Sequence, residues 1–561
     1  MSTHSYLATT NIIMSALHSA TEEMGANLLR SARSTIIREA RDMSCALLDV
    51  KGRIIAEAEH VPVQMSSLML PLESCLAKFP VSALHPNDVL ITNDPFAGGQ
   101  HLQDIILFSP IFHGTEVVAF AGSIAHHIDI GGGSAGLTFD AQEFYQEGLR
   151  FPAMRLRADR DFARGGVMYD LVFGNFREPE TTIGDLRAQL AANHTGTQRV
   201  LALVEKYGVS TVLCSFSDAL DYSERLTQAA IRQVPNGVYE SEDRVDRGVF
   251  SPQPITVRLR LTVEDEALFL DFSGTDPQVP EFLNVPLGST VSTGRSAVMM
   301  ILSGMLRQIP ANEGCYRPIR IEVPYGCVLN PAPPAAVRAR MCAAYRVFDA
   351  ILLAFHQAIP ARMPALGFHV NTTAGFSRKK DGSFRIFIED IGGGWGGSPA
   401  GDGADMLDAP LSNCKITPVE ALELDHPYLR VHRYELLPDT GGAGKFRGGL
   451  GSVREYEVLV DVVQFFAYAD RHRTAPRGVG GGLEGTCGAF RRVRGETVEE
   501  LQDKISIPVD LGDRIQVVVG GGGGFGMPAL RAKDAIERDL RLGKLTEMGA
   551  TKYLDASADD S

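Results

Sequence analysis

Histidine and aspartate side chains are concentrated in one stretch of this chain, on both sides of two apolar runs. His101 and Asp104 precede the first run, and His126, His127 and Asp129 follow the second. Imidazole nitrogen and carboxylate oxygen suit zinc, manganese or iron better than calcium. A set of few protein ligands also leaves coordination positions for water or substrate, as in catalytic sites. The spacing predicts a divalent-metal site; the alternative is a structural, hydrogen-bonded cluster of the same residue types.

The two apolar runs are the elements that must bring these residues together. Residues 104–112 and 117–125 have strand character, and the four residues between them are turn-forming. This pattern indicates an antiparallel β-hairpin, whose open end gathers both clusters. With the turn centred on residues 114–115, we expect Gln103 to lie opposite His126.

The tandem histidines after the second strand cannot both serve one site. Because side chains alternate between the faces of a strand, His126 and His127 are expected to point in opposite directions. One of them is therefore expected as a ligand. Two further acids are candidates for a fourth ligand or a base, since Asp42 precedes a strand start and Glu147 follows the glycine loop after the hairpin.

Periodicity predicts an α+β protein with two different halves. The N-terminal half combines helices, such as 182–205, with the hairpin that carries the metal site. Alternation of apolar and polar residues over 255–263 marks a change to a glycine-rich, β-dominated C-terminal half. We predict a metal-site domain over 1–240, a β-rich domain with helices over 241–528, and a helical or polar tail over 529–561.

Composition narrows the possible functions. The net charge of -14 is unsuited to nucleic-acid binding. The sequence contains no apolar run of about 18 residues, so no membrane span is expected. The start of the chain lacks the basic and apolar regions of a signal peptide, so a cytoplasmic location is expected. The 57 glycines are about one residue in ten, above the usual ~7% of residues. We interpret the run Gly520–Gly524 as a packing or turn element.

Several motifs occur together along nearly the whole chain, and in combination they are specific. They include Asn93-Asp94-Pro95-Phe96-Ala97-Gly98-Gly99, His101-Leu102-Gln103-Asp104, His126-His127-Ile128-Asp129-Ile130-Gly131-Gly132, Glu389-Asp390-Ile391-Gly392-Gly393-Gly394 and Arg447-Gly448-Gly449. In these motifs the chain resembles the hydantoinase B/oxoprolinase family. Many relatives carry histidine at the position of Gln64, which puts any role of that histidine in doubt for this chain.

The resemblance implies a division of labour between two kinds of subunit. An A-type partner is expected to bind ATP and magnesium and to phosphorylate an amide or carbonyl oxygen. The B-type chain is expected to hold the metal through His101, Asp104 and His126, which selects His126 over His127. A hetero-oligomer with several copies of each subunit is also implied.

The resulting hypothesis is ATP-dependent hydrolysis of a cyclic amide, such as a hydantoin, oxoproline or a lactam. We predict Asp42, Asp129 and Glu147 as catalytic residues and Gly131, Gly132, Asn93 and Asp94 as binding residues for substrate or phosphate. One alternative is a subunit of a biotin-independent, ATP-dependent ketone carboxylase, because the same residues serve both reactions. The other alternative is a non-catalytic scaffold subunit.

Overall fold

A computed structural model describes residues 3–58, 60–306 and 309–553 of the chain. Contacts divide the chain into two compact units, Met1–Val238 with Leu259–Arg340, and Tyr239–Arg258 with Met341–Ser561. Compactness is not a test of independent folding, so the domain limits near 240 and 528 stay a prediction. The end of the predicted tail, 554–561, lies outside the described residues.

The first unit combines long helices with a central sheet. Its helices are α1 (Thr3–Ser31), α2 (Thr35–Arg38), α3 (Pro62–Met65), α4 (Met69–Lys78), α5 (Phe144–Glu147), α6 (Val167–Asn175), α7 (Pro179–Tyr207), α8 (Val209–Ile231), α9 (Leu287–Met305) and α10 (Glu313–Tyr316). The strands from the start of the chain to Glu322 are β1 (Met43–Leu48), β2 (Ile54–Glu57), β3 (Asp88–Thr92), β4 (Asp104–His113), β5 (Glu116–His126), β6 (Met154–Arg157), β7 (Gly237–Val245), β8 (Ile255–Glu264), β9 (Ala267–Asp271) and β10 (Ile319–Glu322). The chain passes from one unit to the other within β7 and within β8.

The predicted hairpin lies at the centre of an antiparallel sheet with strand order β2-β1-β5-β4-β3-β6. Ile105 and Leu107 pack on one face in a cluster with Leu186 of α7. Ile106 and Phe108 pack on the other face in a separate cluster. Because both faces are covered, both hairpin strands are apolar throughout instead of alternating with polar residues.

A β-bulge shifts the pairing of the hairpin by one residue from the expected register. The irregularity falls between Ile111 and Phe112, and beyond it Asp104 lies opposite His126. The prediction that Gln103 faces His126 is therefore wrong. A bulge inserts an extra residue into one strand, which a count outward from the turn does not detect. Its consequence is that a carboxylate and an imidazole are direct cross-strand neighbours.

The second unit is dominated by two antiparallel sheets. Its helices are α11 (Met341–Ala358), α12 (Val419–Asp425), α13 (Lys533–Arg541) and α14 (Glu547–Thr551). Its strands are β11 (Thr372–Lys380), β12 (Ser383–Ile391), β13 (Leu429–Leu436), β14 (Ser452–Val458), β15 (Val463–Tyr468), β16 (Ala489–Arg494), β17 (Thr497–Leu501), β18 (Lys504–Val509) and β19 (Arg514–Val519). The sheet orders are β12-β11-β15-β18 and β13-β14-β19-β16-β17. Both sheets contribute to one core, which includes Phe376, Phe465, Tyr456 and Ile515. The predicted α+β class is confirmed.

Most of the glycine-rich motifs of the second unit meet in what we call the glycine bundle. The bundle consists of the segments 392–397, 441–451, 478–485 and 520–524, which are neither helices nor strands and are joined by main-chain hydrogen bonds. Gly522 donates its N–H to the carbonyl of Gly449 at 3.0 Å and accepts from Gly442 at 2.8 Å. A Cβ on Gly522 would lie only 2.2 Å from the carbonyl oxygen of Trp395. Main chains therefore pack against main chains here, which accounts for much of the glycine content.

A helix that crosses a membrane must be long and predominantly apolar. No single helix in the described part of the chain is both long and apolar enough to do so. Helices α7 and α8 meet the length and composition requirements only as a pair, and that pair is bent by 113°.

Candidate metal centre

The structure brings the three predicted metal ligands together at the open end of the hairpin. One ligand atom from each of His101, Asp104 and His126 lies within 4.8 Å of the others. Asp104 begins β4 and His126 ends β5, so the bulged register places these two side by side. His101 belongs to the preceding turn, closed by a 3.0 Å bond from the Asp104 N–H to the His101 carbonyl. The two imidazoles meet edge to face, with centroids 4.9 Å apart.

The hydrogen bonding of His101 leaves one ring nitrogen directed at a carboxylate. Its Nδ1 lies 3.1 Å from the main-chain oxygen of Arg338. Because a carbonyl only accepts, the neutral ring carries its proton on Nδ1 and a lone pair on Nε2. That Nε2 is buried and lies 3.2 Å from Oδ2 of Asp104, so two acceptors face each other. A cation satisfies both, and a carbonyl bonded to the far nitrogen is typical of a metal-binding histidine.

The electrostatics of the cluster keep the imidazoles neutral and the carboxylate charged. Burial lowers the pKa of His101, and the charge of Arg340 lowers it further. Burial and the charges of Arg338 and Arg340 hold the pKa of His126 well below its usual value. Burial opposes ionisation of Asp104, but its neighbours, among them the positively charged Arg340, outweigh burial and hold its pKa below the usual range. Neutral imidazoles and an ionised carboxylate are the protonation states that bind a metal.

Asp42 and Gln64 lie beside His126 and Asp104. Oδ2 of Asp42 lies 3.4 Å from Nδ1 of His126, and the Asp42 carbonyl accepts the His126 N–H at 3.1 Å. Gln64 on α3 donates from Nε2 to Oδ1 of Asp42 at 2.7 Å and lies 3.5 Å from Oδ1 of Asp104. Asp42 therefore lies beside His126, and its predicted role as a base or ligand stays a prediction. Sequence reasoning marked Gln64 only as a departure from relatives and gave it no contact.

Two arginines from a distant part of the chain also border the cluster. Arg340 donates from Nη2 to Oδ2 of Asp104 at 2.8 Å and from Nε to Oγ of Ser289 at 3.0 Å. Arg338 supplies the carbonyl that holds His101. Sequence reasoning missed both arginines, because nothing in the local pattern distinguishes a buried arginine from a surface one.

Glu147 is buried and acts on the cluster through the main chain. Its Oε1 accepts from the N–H of Val337 at 2.9 Å and of Arg338 at 2.7 Å. Burial raises its pKa to about 7, because two main-chain donors only partly replace lost hydration. Glu147 thereby fixes the segment whose carbonyl holds His101. Its predicted role as a base or ligand stays a prediction.

The other predicted residues are engaged by neighbouring loops. Oδ1 of Asp129 accepts from the N–H of Gly131 at 3.0 Å. Asn93 donates to the Leu102 carbonyl at 2.7 Å, and the side chain of Asp94 caps a short 3₁₀ helix. These contacts are structural, and the catalytic role of Asp129 and the binding roles of Asn93 and Asp94 stay predictions.

The glycine loop after the hairpin has a conformation that requires glycine. Gly131 and Gly132 have φ of 77° and 88°, and a Cβ on Gly132 would lie 2.7 Å from the Glu147 carbonyl oxygen. The Gly133 N–H is bonded to Gln146 at 3.1 Å, so this amide is already used. Binding of substrate or phosphate by Gly131 and Gly132 stays a prediction.

Fold and site together define an α+β protein with a candidate His/Asp metal centre at the end of a central hairpin. The chain belongs to the hydantoinase B/oxoprolinase family, whose model matches residues 7–528. It is 32% identical over 572 aligned residues to a protein of Pseudomonas sp. (strain NS671) that is described as the B-type member of a D-/L-hydantoinase. That alignment covers 99% of this chain and 95% of the relative.

Solved structures show the same fold. The ATP-dependent caprolactamase from Pseudomonas jessenii superimposes with a TM-score of 0.88 at 28% identity, over 97% of this chain and 96% of that chain. Acetone carboxylase superimposes with a TM-score of 0.86 at 18% identity, over 97% of this chain and 79% of that chain. The second similarity is one of fold.

Proposed function

We propose that this chain is the metal-containing catalytic subunit of an ATP-dependent cyclic amide hydrolase. Its substrate would be a hydantoin, oxoproline or lactam ring that an A-type partner subunit has phosphorylated. The observation that carries the proposal is the buried group of His101, Asp104 and His126, in which Nε2 of one neutral imidazole faces a carboxylate oxygen at 3.2 Å. The names of the similar hydantoinase and caprolactamase support the substrate class.

His101, Asp104 and His126 would hold zinc, manganese or iron, the metals that suit two imidazoles and a carboxylate. Such a cation supplies Lewis acidity, which makes water an effective nucleophile near neutral pH. Asp42 is the base in this proposal, since its carboxylate lies at the more accessible side of the cluster, 3.4 Å from His126. Gln64 holds the other oxygen of Asp42 and so orients the carboxylate towards the proton it must accept.

The proposed reaction balances without an oxidant or reductant. Water attacks the carbon of the phosphorylated amide, and one of its protons passes to Asp42. The ring C–N bond then breaks as the nitrogen, which has no hydrogen in the phosphorylated form, takes up both protons of that water, one of them from Asp42, and leaves as an amine or, in a hydantoin, as a urea nitrogen. A second water hydrolyses the acyl phosphate to a carboxylate and inorganic phosphate.

An ATP-binding partner is needed because this chain lacks a nucleotide-binding signature. Its sequence contains no G-x-x-x-x-G-K-[ST] loop, so we assign ATP and magnesium to the partner. We propose a cytoplasmic hetero-oligomer with several copies of each subunit, supported by the description of the similar hydantoinase chain as one subunit among others.

Metal content and turnover together test this function. The purified chain should contain about one transition-metal ion, lost in folded His101→Ala and Asp104→Ala variants. His113→Ala is the matched control, because His113 lies exposed at the turn of the same hairpin. With the A-type subunit and ATP, the wild type should open a cyclic amide without bicarbonate. Folded His101→Ala protein that keeps metal and activity would contradict the proposal, and bicarbonate-dependent turnover of a ketone would favour the carboxylase alternative.

A further inference from the structure

We infer that Gln189 is a positioning residue for the candidate metal centre, which sets the spacing between Asp104 and His126 from the opposite face of the hairpin. The metal-binding role of those two residues belongs to the proposed function, so this inference rests on it. The hydrogen bonds that carry the inference are made by Gln189 and its partner His127.

Gln189 lies on α7, and none of its surface is exposed. Its neighbours Leu186 and Leu190 belong to the apolar cluster that also contains Ile105 of the hairpin. A buried amide in such a layer is costly unless its donors and acceptors find partners. The groups that Gln189 bonds to therefore show what its amide does here.

The side-chain amide of Gln189 joins the ends of both hairpin strands. Its Nε2 donates to the carbonyl of Ile105 on β4 at 3.0 Å and to the carbonyl of Ser123 on β5 at 3.4 Å. Because the amide nitrogen is used by carbonyls, Oε1 is the acceptor, and it lies 3.0 Å from Nε2 of His127. One side chain thus holds the main chain of both strands and the imidazole that follows β5.

Each predicted ligand on the hairpin is next in sequence to a residue that this amide holds. Asp104 precedes Ile105 on β4, and His126 precedes His127 at the end of β5. Because side chains alternate between the faces of a strand, the two ligands project from the opposite face. Gln189 therefore acts on them through the main chain.

Asn193 offers a comparison within the same helix. It lies one turn after Gln189, is equally buried, and donates from Nδ2 to the Leu107 carbonyl at 3.2 Å. Leu107 is three residues from Asp104, so Asn193 anchors the hairpin away from the strand ends that carry the ligands. The two amides make bonds of the same kind, but only that of Gln189 is placed to position ligands.

The zinc affinity of the folded full-length chain tests this role. Gln189→Met keeps the length of the side chain and removes its hydrogen bonds, so zinc affinity should fall about tenfold, as commonly follows loss of a bond behind a metal site. Asn193→Leu is the matched control and should leave zinc affinity unchanged. Competition with a chelator measures the affinity, and thermal unfolding identifies the variants that are folded.

His127→Leu removes the same bond from the other side and serves if Gln189→Met does not fold. It should also weaken zinc binding, and the double variant should lose less affinity than the product of the two single losses, because both changes remove one shared bond. Wild-type affinity in Gln189→Met and His127→Leu overturns the positioning role. Equal weakening in Asn193→Leu, or single losses that multiply in full, also overturns it.

Hydrogen exchange of the metal-free chain separates this inference from the proposed function. Gln189→Met should speed exchange in residues 103–106 and 123–127, and Asn193→Leu should not. A wild type that contains no metal and opens no ring overturns the proposed function, and the exchange result then decides by itself whether Gln189 holds these strand ends. A wild type that binds zinc and opens rings, with exchange and affinity unchanged in Gln189→Met, overturns only the positioning role.

Discussion

Two buried clusters of this protein each contain a histidine–aspartate pair, and comparing them separates a candidate active site from a structural network. In the first unit Nε2 of His101 lies 3.2 Å from Asp104. In the second unit Nδ1 of His369 lies 2.5 Å from Asp349. Residue types alone would not distinguish the two clusters.

The clusters differ in how their carboxylates are paired. Oδ2 of Asp349 lies 3.1 Å from Arg346 and 2.8 Å from Arg471, and Oδ2 of Asp243 lies 3.1 Å and 2.7 Å from the same two guanidiniums. We call this group, with His369, the ionic network. In the ionic network, each carboxylate is paired with two arginines. In the first unit, by contrast, a lone pair on His101 faces a carboxylate oxygen. Oδ2 of Asp104 accepts from Arg340, but Nε2 of His101 has no donor, and a cation would satisfy that lone pair, which favours this cluster as the candidate site.

Breaking the ionic network should have the largest effect on stability. Asp349→Ala leaves two buried guanidiniums short of a partner, so the free energy of unfolding should fall by about 3–5 kcal/mol. Urea denaturation measures this loss. The exposed pair of Glu23 and Arg199 is the control, where Glu23→Ala should cost less than about 1 kcal/mol. If both variants lose the same free energy of unfolding, the carboxylates and guanidiniums of the ionic network do not stabilise one another more than an exposed pair does.

Glu147 should make stability depend on pH. Its pKa of about 7 in the folded chain exceeds the ordinary 4.5, so between these values the folded protein holds a proton that the unfolded chain has released. Stability from this group therefore falls as pH rises from 4.5 to about 7 and is level above. Glu147→Gln should remove that fall in the free energy of unfolding. The fall is about 3 kcal/mol at most, since one pKa unit corresponds to about 1.4 kcal/mol.

The measurement for Glu147 is urea denaturation of both proteins at several pH values between 5 and 8. Asp349→Ala is a level comparison in this range, since Arg346, His369 and Arg471 outweigh burial and hold the pKa of Asp349 below its usual range, so its carboxyl stays ionised in both states above pH 5. Parallel stability profiles for wild type and Glu147→Gln would mean that Glu147 is ionised throughout this range.

The glycine bundle extends the comparison to main-chain packing in the second unit. Gly522→Ala would place a Cβ 2.2 Å from the Trp395 carbonyl oxygen, so segments must shift. We expect a loss of about 2 kcal/mol in the free energy of unfolding, as for overpacked cores. Gly304→Ala is the control, because open space surrounds Gly304 on α9 and alanine favours a helix. A tolerated Gly522→Ala change, measured by thermal unfolding, would contradict close packing there.

The smallest expected effect concerns Gln64. Its side chain is bonded to Asp42, and it is not one of the three predicted metal ligands. Gln64→Ala should weaken metal binding about tenfold, as loss of a hydrogen bond behind a metal site commonly does. Competition with a chelator measures the affinity. Exposed Gln142→Ala should leave it unchanged. If the affinity of Gln64→Ala equals that of the wild type, Gln64 does not organise the site.

The sequence predicted the local parts of the site well. Both hairpin strands, the helix over α7 and the placement of His126 and His127 on opposite faces follow from short-range periodicity. His127 is buried and bonded to Gln189 at 3.0 Å, whereas His126 lies 3.4 Å from Asp42 and 3.7 Å from Asp104. The register was wrong by one residue, because a bulge depends on how two strands fit and not on either strand alone.

The sequence by itself determined that histidine and aspartate gather at one end of a hairpin, since a hairpin joins neighbours along the chain. It also indicated that many backbone positions have no room for a side chain, since glycines are about one residue in ten. Only the tertiary structure decided which groups surround those ligands, such as Gln64 on α3 and Arg338 and Arg340 far along the chain. The physical reason is that periodicity reports which face of an element is buried, whereas the partner of a buried polar group is set by long-range packing.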